Sequence, residues 1–157
     1  MVTIITGDKN VGKTTRLAHW QAAEGRGAGF CCKKVLIDGM FLGYDLLFFP
    51  DYETVPFIRL ATDNDRDDPE KIVRHRFAFH RPVFSLAEQR AEEADASTPF
   101  FMDEIGGVEL AGQGFDALFR LALTKFTDIR VVFRKRCLNE LIGYYRLEDY
   151  KVIDLIF

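Results

Sequence analysis

The chain has 157 residues, 48% hydrophobic and 29% charged, with a net charge of −3 at pH 7. That length fits one domain, 1–157, with a real core, and the acidic balance argues against a general nucleic-acid-binding surface. Asp45 and Asp154 break the longest apolar runs below the roughly 20 residues a membrane span needs, and a strand opening at Val2 leaves no place for a signal peptide, so a cytoplasmic protein with no membrane partner is expected.

Val2-Thr3-Ile4-Ile5-Thr6 is a β-branched run suited to a buried parallel strand. It feeds Gly7-Asp8-Lys9-Asn10-Val11-Gly12-Lys13-Thr14-Thr15, which contains a complete G-x-x-x-x-G-K-[ST] phosphate-binding loop. A helix-forming segment over 14–23 follows and stops at Gly25 and Gly27. Strand, glycine loop and helix is the order this chemistry requires: backbone N–H groups wrap a phosphate, and the helix N-terminus adds partial positive charge. Gly7 and Gly12 let the backbone approach phosphate oxygens closely, and Asn10 tolerates positive φ. Lys13 would reach the β- and γ-phosphates as a point charge. The Thr14 hydroxyl would hold Mg²⁺. The plainer alternative, a glycine-rich turn before a helix, leaves the agreement of all three parts unexplained.

From Gly29 to Leu60 the pattern changes. Phe30–Ile37 and Met40–Phe49 read as strands joined by an Asp38-Gly39 hairpin turn. Thr54–Leu60 reads as a third strand, confined to an edge by Pro56. An antiparallel meander inserted over 29–60 is expected. Cys31 and Cys32 fall on opposite faces of one strand; with Cys137 they lack metal-ligand spacing and read as free thiols. Asp63 to Pro69 reads as an exposed acidic turn and 76–80 as a short strand. Ser85-Leu86-Ala87-Glu88 has the form of a capping box opening a helix to about Asp95.

Phe100-Phe101-Met102-Asp103-Glu104 is a buried strand that delivers two carboxylates at its C-terminal end, where ligands bind in open α/β sheets. Asp103 would orient Mg²⁺ through its water shell, and Glu104 would polarise a water for attack on the γ-phosphate. A plain strand end is the alternative. Phe115, Leu118, Phe119 and Ala122 mark the apolar stripe of a further helix, Ile129–Phe133 a buried strand, 137–142 a short helix ending at Gly143, and 152–157 a last strand. The 15 Phe residues predict a core rich in aromatic packing. Arg134-Lys135-Arg136 follows a buried strand, where Arg134 would stabilise charge on the transferring phosphate; a solvated basic turn is the equal alternative. Thr124-Lys125-Phe126-Thr127-Asp128 misses a guanine-reading motif in its first residue and its spacing, and His19, His75 and His80 show no ligand spacing.

The phosphate loop together with Asp103-Glu104-Ile105-Gly106-Gly107-Val108-Glu109-Leu110 resembles the small nucleoside-triphosphatase family of the thermophile type, which has a cancer-related branch in animals. The Ile-Gly and Glu-Leu extension is the specific part. Gly29-Phe30, Gly39 and Gly43-Tyr44-Asp45 resemble the family's meander, so the likeness spans most of the chain. Gly107 departs from the larger residue common at that place, and Asp8-Lys9-Asn10 from the usual small ones. The resemblance implies a P-loop NTPase of the α/β class, with a RecA-like, mainly parallel sheet flanked by helices. It also implies Mg²⁺-dependent hydrolysis of ATP, GTP and other nucleoside triphosphates. The nucleotide would lie on the loop and on Phe101, Met102, Asp103, Glu104, Ile105 and Gly106. Two other readings stay open: a phosphotransferase, in which a small acceptor replaces water, and a nucleotide-dependent regulatory module acting on a protein partner.

Overall fold

The computed structural model describes residues 1–156. Its nine strands are β1 (Val2–Gly7), β2 (Ala28–Ile37), β3 (Met40–Phe49), β4 (Thr54–Leu60), β5 (Lys71–Arg74), β6 (Phe77–His80), β7 (Phe100–Ile105), β8 (Ile129–Phe133) and β9 (Tyr150–Leu155). The helices are α1 (Lys13–Glu24), α2 (Pro82–Glu93), α3 (Gly107–Leu110), α4 (Asp116–Lys125) and α5 (Leu138–Tyr144).

All nine strands join one sheet in the order β5-β6-β4-β3-β2-β7-β8-β1-β9. From β2 to β9 the neighbours are parallel, and from β2 to β5 they are antiparallel. β2 is the seam between the two halves.

Strand alternation explains how one sheet carries two cores, because successive side chains point to opposite faces. Phe100 and Met102 pack on one side with Phe30, Phe48, Phe57, Phe115, Phe119 and Phe133, beneath α2, α4 and α5. Phe101 packs on the other with Ile5, Leu17, Cys31, Phe49 and Val132, beneath α1. Cys32 lies in the first core and Cys31 in the second, as the strand reading requires. The aromatic core is present: the Phe115 ring centroid is 4.7 Å from Phe30 and 4.9 Å from Phe84. Asp38 and Gly39 both take positive φ, 51° and 78°, which gives the expected tight hairpin turn between β2 and β3.

Four expectations need correction. First, β4 is not an edge strand, because β3 and β6 flank it. Pro56 is tolerated because β6 pairs only with Ile58–Leu60, and Pro56 itself stands opposite Asp45 at a register shift. Second, the antiparallel half runs past Leu60 through the β5–β6 hairpin. Third, α2 begins at Pro82, not at Ser85. Proline at the first helical position lacks only an N–H that would be unpaired there, and Val83, Ala87 and Ala91 form the buried stripe. Fourth, Asp65 is buried rather than exposed: it accepts hydrogen bonds from the Thr62 N–H (2.6 Å) and Lys71 Nζ (2.8 Å). Two ends also shift. α5 passes Gly143 to Tyr144, and β9 spans Tyr150–Leu155, with Phe157 outside the described residues. No helix among the described residues is long and apolar enough to cross a membrane.

Candidate active site

β1 ends at Gly7, α1 begins at Lys13, and between them the loop turns at Asn10 (φ 64°) and Gly12 (φ 88°). The positive φ expected of Asn10 is present. Lys13 Nζ donates to the carbonyl oxygens of Gly7 and Asp8, each at 2.8 Å. The ammonium is therefore folded over the loop and satisfied by the loop's own backbone. One residue on, the Thr14 hydroxyl donates to Asp103 Oδ2 at 2.8 Å. Asp8, Lys9, Asn10 and Thr15 are exposed around this centre and Val11 is half-buried. Asp8 lies 3.6 Å from Lys135 Nζ, which also faces Asp154.

β7 brings Asp103 to the loop. The residue is fully buried. Its Oδ2 accepts from both Thr14 and the Cys32 N–H of the seam strand (3.0 Å). Its Oδ1 has no hydrogen-bond partner among the described residues. Burial, and then the neighbouring Glu104 charge, pushes the Asp103 carboxyl up to about 7, since loss of water disfavours the ionised form. A buried carboxylate oxygen without a partner, beside a threonine hydroxyl, is an all-oxygen donor set. It suits a hard cation that keeps most of its ligands as water and phosphate oxygen. Thr14 and Asp103 therefore fit Mg²⁺.

Glu104 leaves the sheet by a different route from plain strand alternation. Its φ is +60°, and the register with β8 shifts between Met102 and Ile105. Such a bulge re-aims a side chain, here bringing Glu104 Oε2 to 3.2 Å from Arg134 Nε. Arg134 follows β8 directly, and its N–H donates to the Ile105 carbonyl (2.9 Å). Its side chain crosses Gly106 so closely that a Cβ there would lie 2.6 Å from Arg134 Cδ. Loop lysine, threonine, two carboxylates and arginine thus converge.

Three of the residues expected on the nucleotide do not supply side chains to it. Phe101, Met102 and Ile105 are fully buried in the two cores, because the hydrophobic run that delivers Asp103 must itself pack beneath the crevice. Gly106 reaches the site as backbone beneath Arg134. Two groups were given no role from sequence. Buried Glu109 accepts from the Gly106 N–H (2.8 Å) and the Phe115 N–H (3.0 Å), tying the end of β7 to the start of α4. Its place in the Glu-Leu extension was the available signal. The Cys32 amide carried none, since only pairing in space reveals it.

Residues 2–156 match the sequence model of the NTPase family. The chain belongs to the NTPase family. No curated protein matches it. The fold of this NTPase is similar to that of THEP1 from the hyperthermophile Aquifex aeolicus, at 24% identity and a TM-score of 0.74, covering 99% of this chain and 90% of that one. It is also similar to a human cancer-related nucleoside triphosphatase, at 24% identity and a TM-score of 0.71, covering 97% and 87%. The sequence resemblance is thereby supported, and so is the P-loop NTPase fold with its mixed α/β sheet. The NTPase is an enzyme that hydrolyses nucleoside triphosphates.

Proposed function

We propose that this NTPase cleaves nucleoside triphosphates to diphosphate and phosphate with Mg²⁺ as cofactor and with loose base selectivity, acting in the cytoplasm. The observation that carries the reading is the Thr14–Asp103 hydrogen bond beside an unpartnered Asp103 oxygen, one residue from the Glu104–Arg134 pair. Mg²⁺ held by Thr14 and Asp103 would neutralise phosphate charge. Lys13 would exchange the Gly7 and Asp8 carbonyls for phosphate oxygens, a stronger partner for an ammonium. Glu104, 3.2 Å from the Arg134 guanidinium, is the group proposed to take the proton of the attacking water. Arg134 is within a side-chain rotation of the same region and would meet negative charge developing on the transferring phosphate. The contacts proposed for these residues are all to phosphate, which every nucleotide shares; hence the loose selectivity. The test is phosphate release across ATP, GTP, CTP and UTP, with Mg²⁺ and with a chelator. Free phosphate without an added acceptor is expected for all four, and only with the metal. Turnover that needs an acceptor would instead establish a phosphotransferase.

A further inference from the structure

On the antiparallel half of the sheet, away from the phosphate loop, is a second polar cleft of about 430 Å³. It is lined by Ala61, Thr62, Asp63, Arg66, Val73, His75 and Arg76. Two guanidinium groups and an imidazole therefore face one carboxylate, in a chain whose total charge is −3. The β5–β6 turn that presents His75 and Arg76 holds His75 at φ +55°. Histidine, like Asn and Asp, is among the side chains that take this left-handed conformation readily, so the turn sets the position of the imidazole without strain. The turn is pinned where it is: the Ala61 N–H donates to the Arg76 carbonyl at 2.8 Å, and Arg74 Nη1 donates to Gln113 Oε1 at 3.0 Å.

Beside the cleft is an aromatic layer. The Arg76 guanidinium lies 4.9 Å from the Phe77 ring centroid and 5.8 Å from that of Phe41. Lys34 Nζ is also 5.8 Å from Phe41. Phe41 is in edge contact with Tyr44 (5.4 Å) and Phe77 (6.2 Å). Lys34 and Arg76 are exposed and the three rings half-buried. Planar rings and a stacked guanidinium provide faces for a base, while Arg66 and Arg76 provide charge, and His75 a ring N–H donor, for a phosphate.

We propose that this cleft binds one nucleotide unit, its phosphate among Thr62, Arg66, His75 and Arg76 and its base against the Arg76, Phe41 and Phe77 layer. A single unit fits the acidic overall charge better than a long polynucleotide track does. The cleft shares no lining residue with the hydrolytic site, and the proposal does not depend on the mechanism proposed there. The unit is either a free mononucleotide or the 5′-phosphorylated end of a short single strand.

The test is a fluorescence titration of the intact protein, in chelator, with labelled AMP and with a 5′-phosphorylated hexanucleotide. Arg66→Ala and His75→Ala, both at exposed positions, and Lys13→Ala are titrated alongside. Saturable binding is expected to weaken about tenfold or more in Arg66→Ala and His75→Ala, the usual loss for a phosphate-contacting cation, and to persist in Lys13→Ala. Inorganic phosphate should compete weakly. Binding of the hexanucleotide alone, with AMP silent, would assign the cleft to strand ends. Binding of neither probe would overturn the proposal, as would binding lost in Lys13→Ala but kept in Arg66→Ala. The basal hydrolysis rate of Arg66→Ala, expected to match wild type, confirms that the variant is folded.

Discussion

Thr14 and Asp103, separated by 89 positions in the chain, are joined by a 2.8 Å hydrogen bond at the point where α1 meets β7. The bond occupies Asp103 Oδ2 and leaves Oδ1 without a partner among the described residues beside the threonine hydroxyl. Asp103→Asn is expected to lose Mg²⁺-dependent nucleotide affinity as well as rate. Titration with a slowly hydrolysed triphosphate at fixed Mg²⁺ measures it, and unchanged affinity would remove Asp103 from the metal site.

Glu104→Gln should separate rate from binding. Its carboxylate faces Arg134 and not Thr14, so nucleotide and Mg²⁺ affinity should stay near wild type. Single-turnover hydrolysis should fall by about 10²–10⁴, the usual contribution of a positioned general base. Near wild-type rates would place the base elsewhere.

Lys13→Ala should abolish detectable turnover and weaken ATP binding far more than AMP binding, since its ammonium is placed for the outer phosphates. Because AMP has a second site in the cleft beside Arg76, the comparison is made in an Arg66→Ala background. Equal losses for ATP and AMP there would contradict the assignment.

Gly106→Ala adds one methyl against Arg134 Cδ. At φ −159° and ψ −143° Gly106 lies outside the usual β region for a residue with a Cβ, so the methyl both displaces the arginine and loads the backbone. A fall in kcat of up to about 10²–10³, the range for loss of one charge-stabilising donor, is expected, together with a lowered thermal midpoint from the overpacking. Full activity would show that the position of Arg134 is immaterial.

Burial makes Asp103 a source of pH dependence in the metal-free protein. Its carboxyl is raised to about 7 from an ordinary value of 3.8. A raised folded-state value means that the folded chain holds the proton more tightly than the unfolded one. This contribution to stability is full below about pH 4 and is lost as pH rises toward 7. Urea unfolding in chelator should show a decline across that window that Asp103→Asn flattens. A decline of equal size in the variant would assign it to other groups.

The parts of the molecule that were legible in sequence are those fixed by local chemistry. The phosphate loop needs particular residues at particular spacings, and the Phe-Phe-Met-Asp-Glu run has to be a buried strand. The hairpin at Asp38-Gly39 follows from turn stereochemistry. What escaped depends on partners distant in the chain. Pro56 reads as an edge residue until β6 is seen to pair only beyond it. Asp65 reads as solvated because Lys71 and Thr62 fold over it only in three dimensions. Glu104 reads as a simple strand residue because a left-handed φ at glutamate leaves no mark in composition. Phe101 and Met102 are adjacent to catalytic groups in sequence, yet each packs into one of the two cores that cover the opposite faces of β7.

Cys31 and Cys32, adjacent in sequence, sit in different cores, and both thiols are held above their ordinary titration range by burial. Neither is a reactive thiolate while the sheet is closed. The chain therefore carries a native alkylation probe at its seam: a thiol reagent can label these sulfurs only when the layer packed over each face of β2 opens. The labelling rate reads the frequency of that opening directly, and a nucleotide that tightens the Asp103 contact to the Cys32 amide would register as a slower clock.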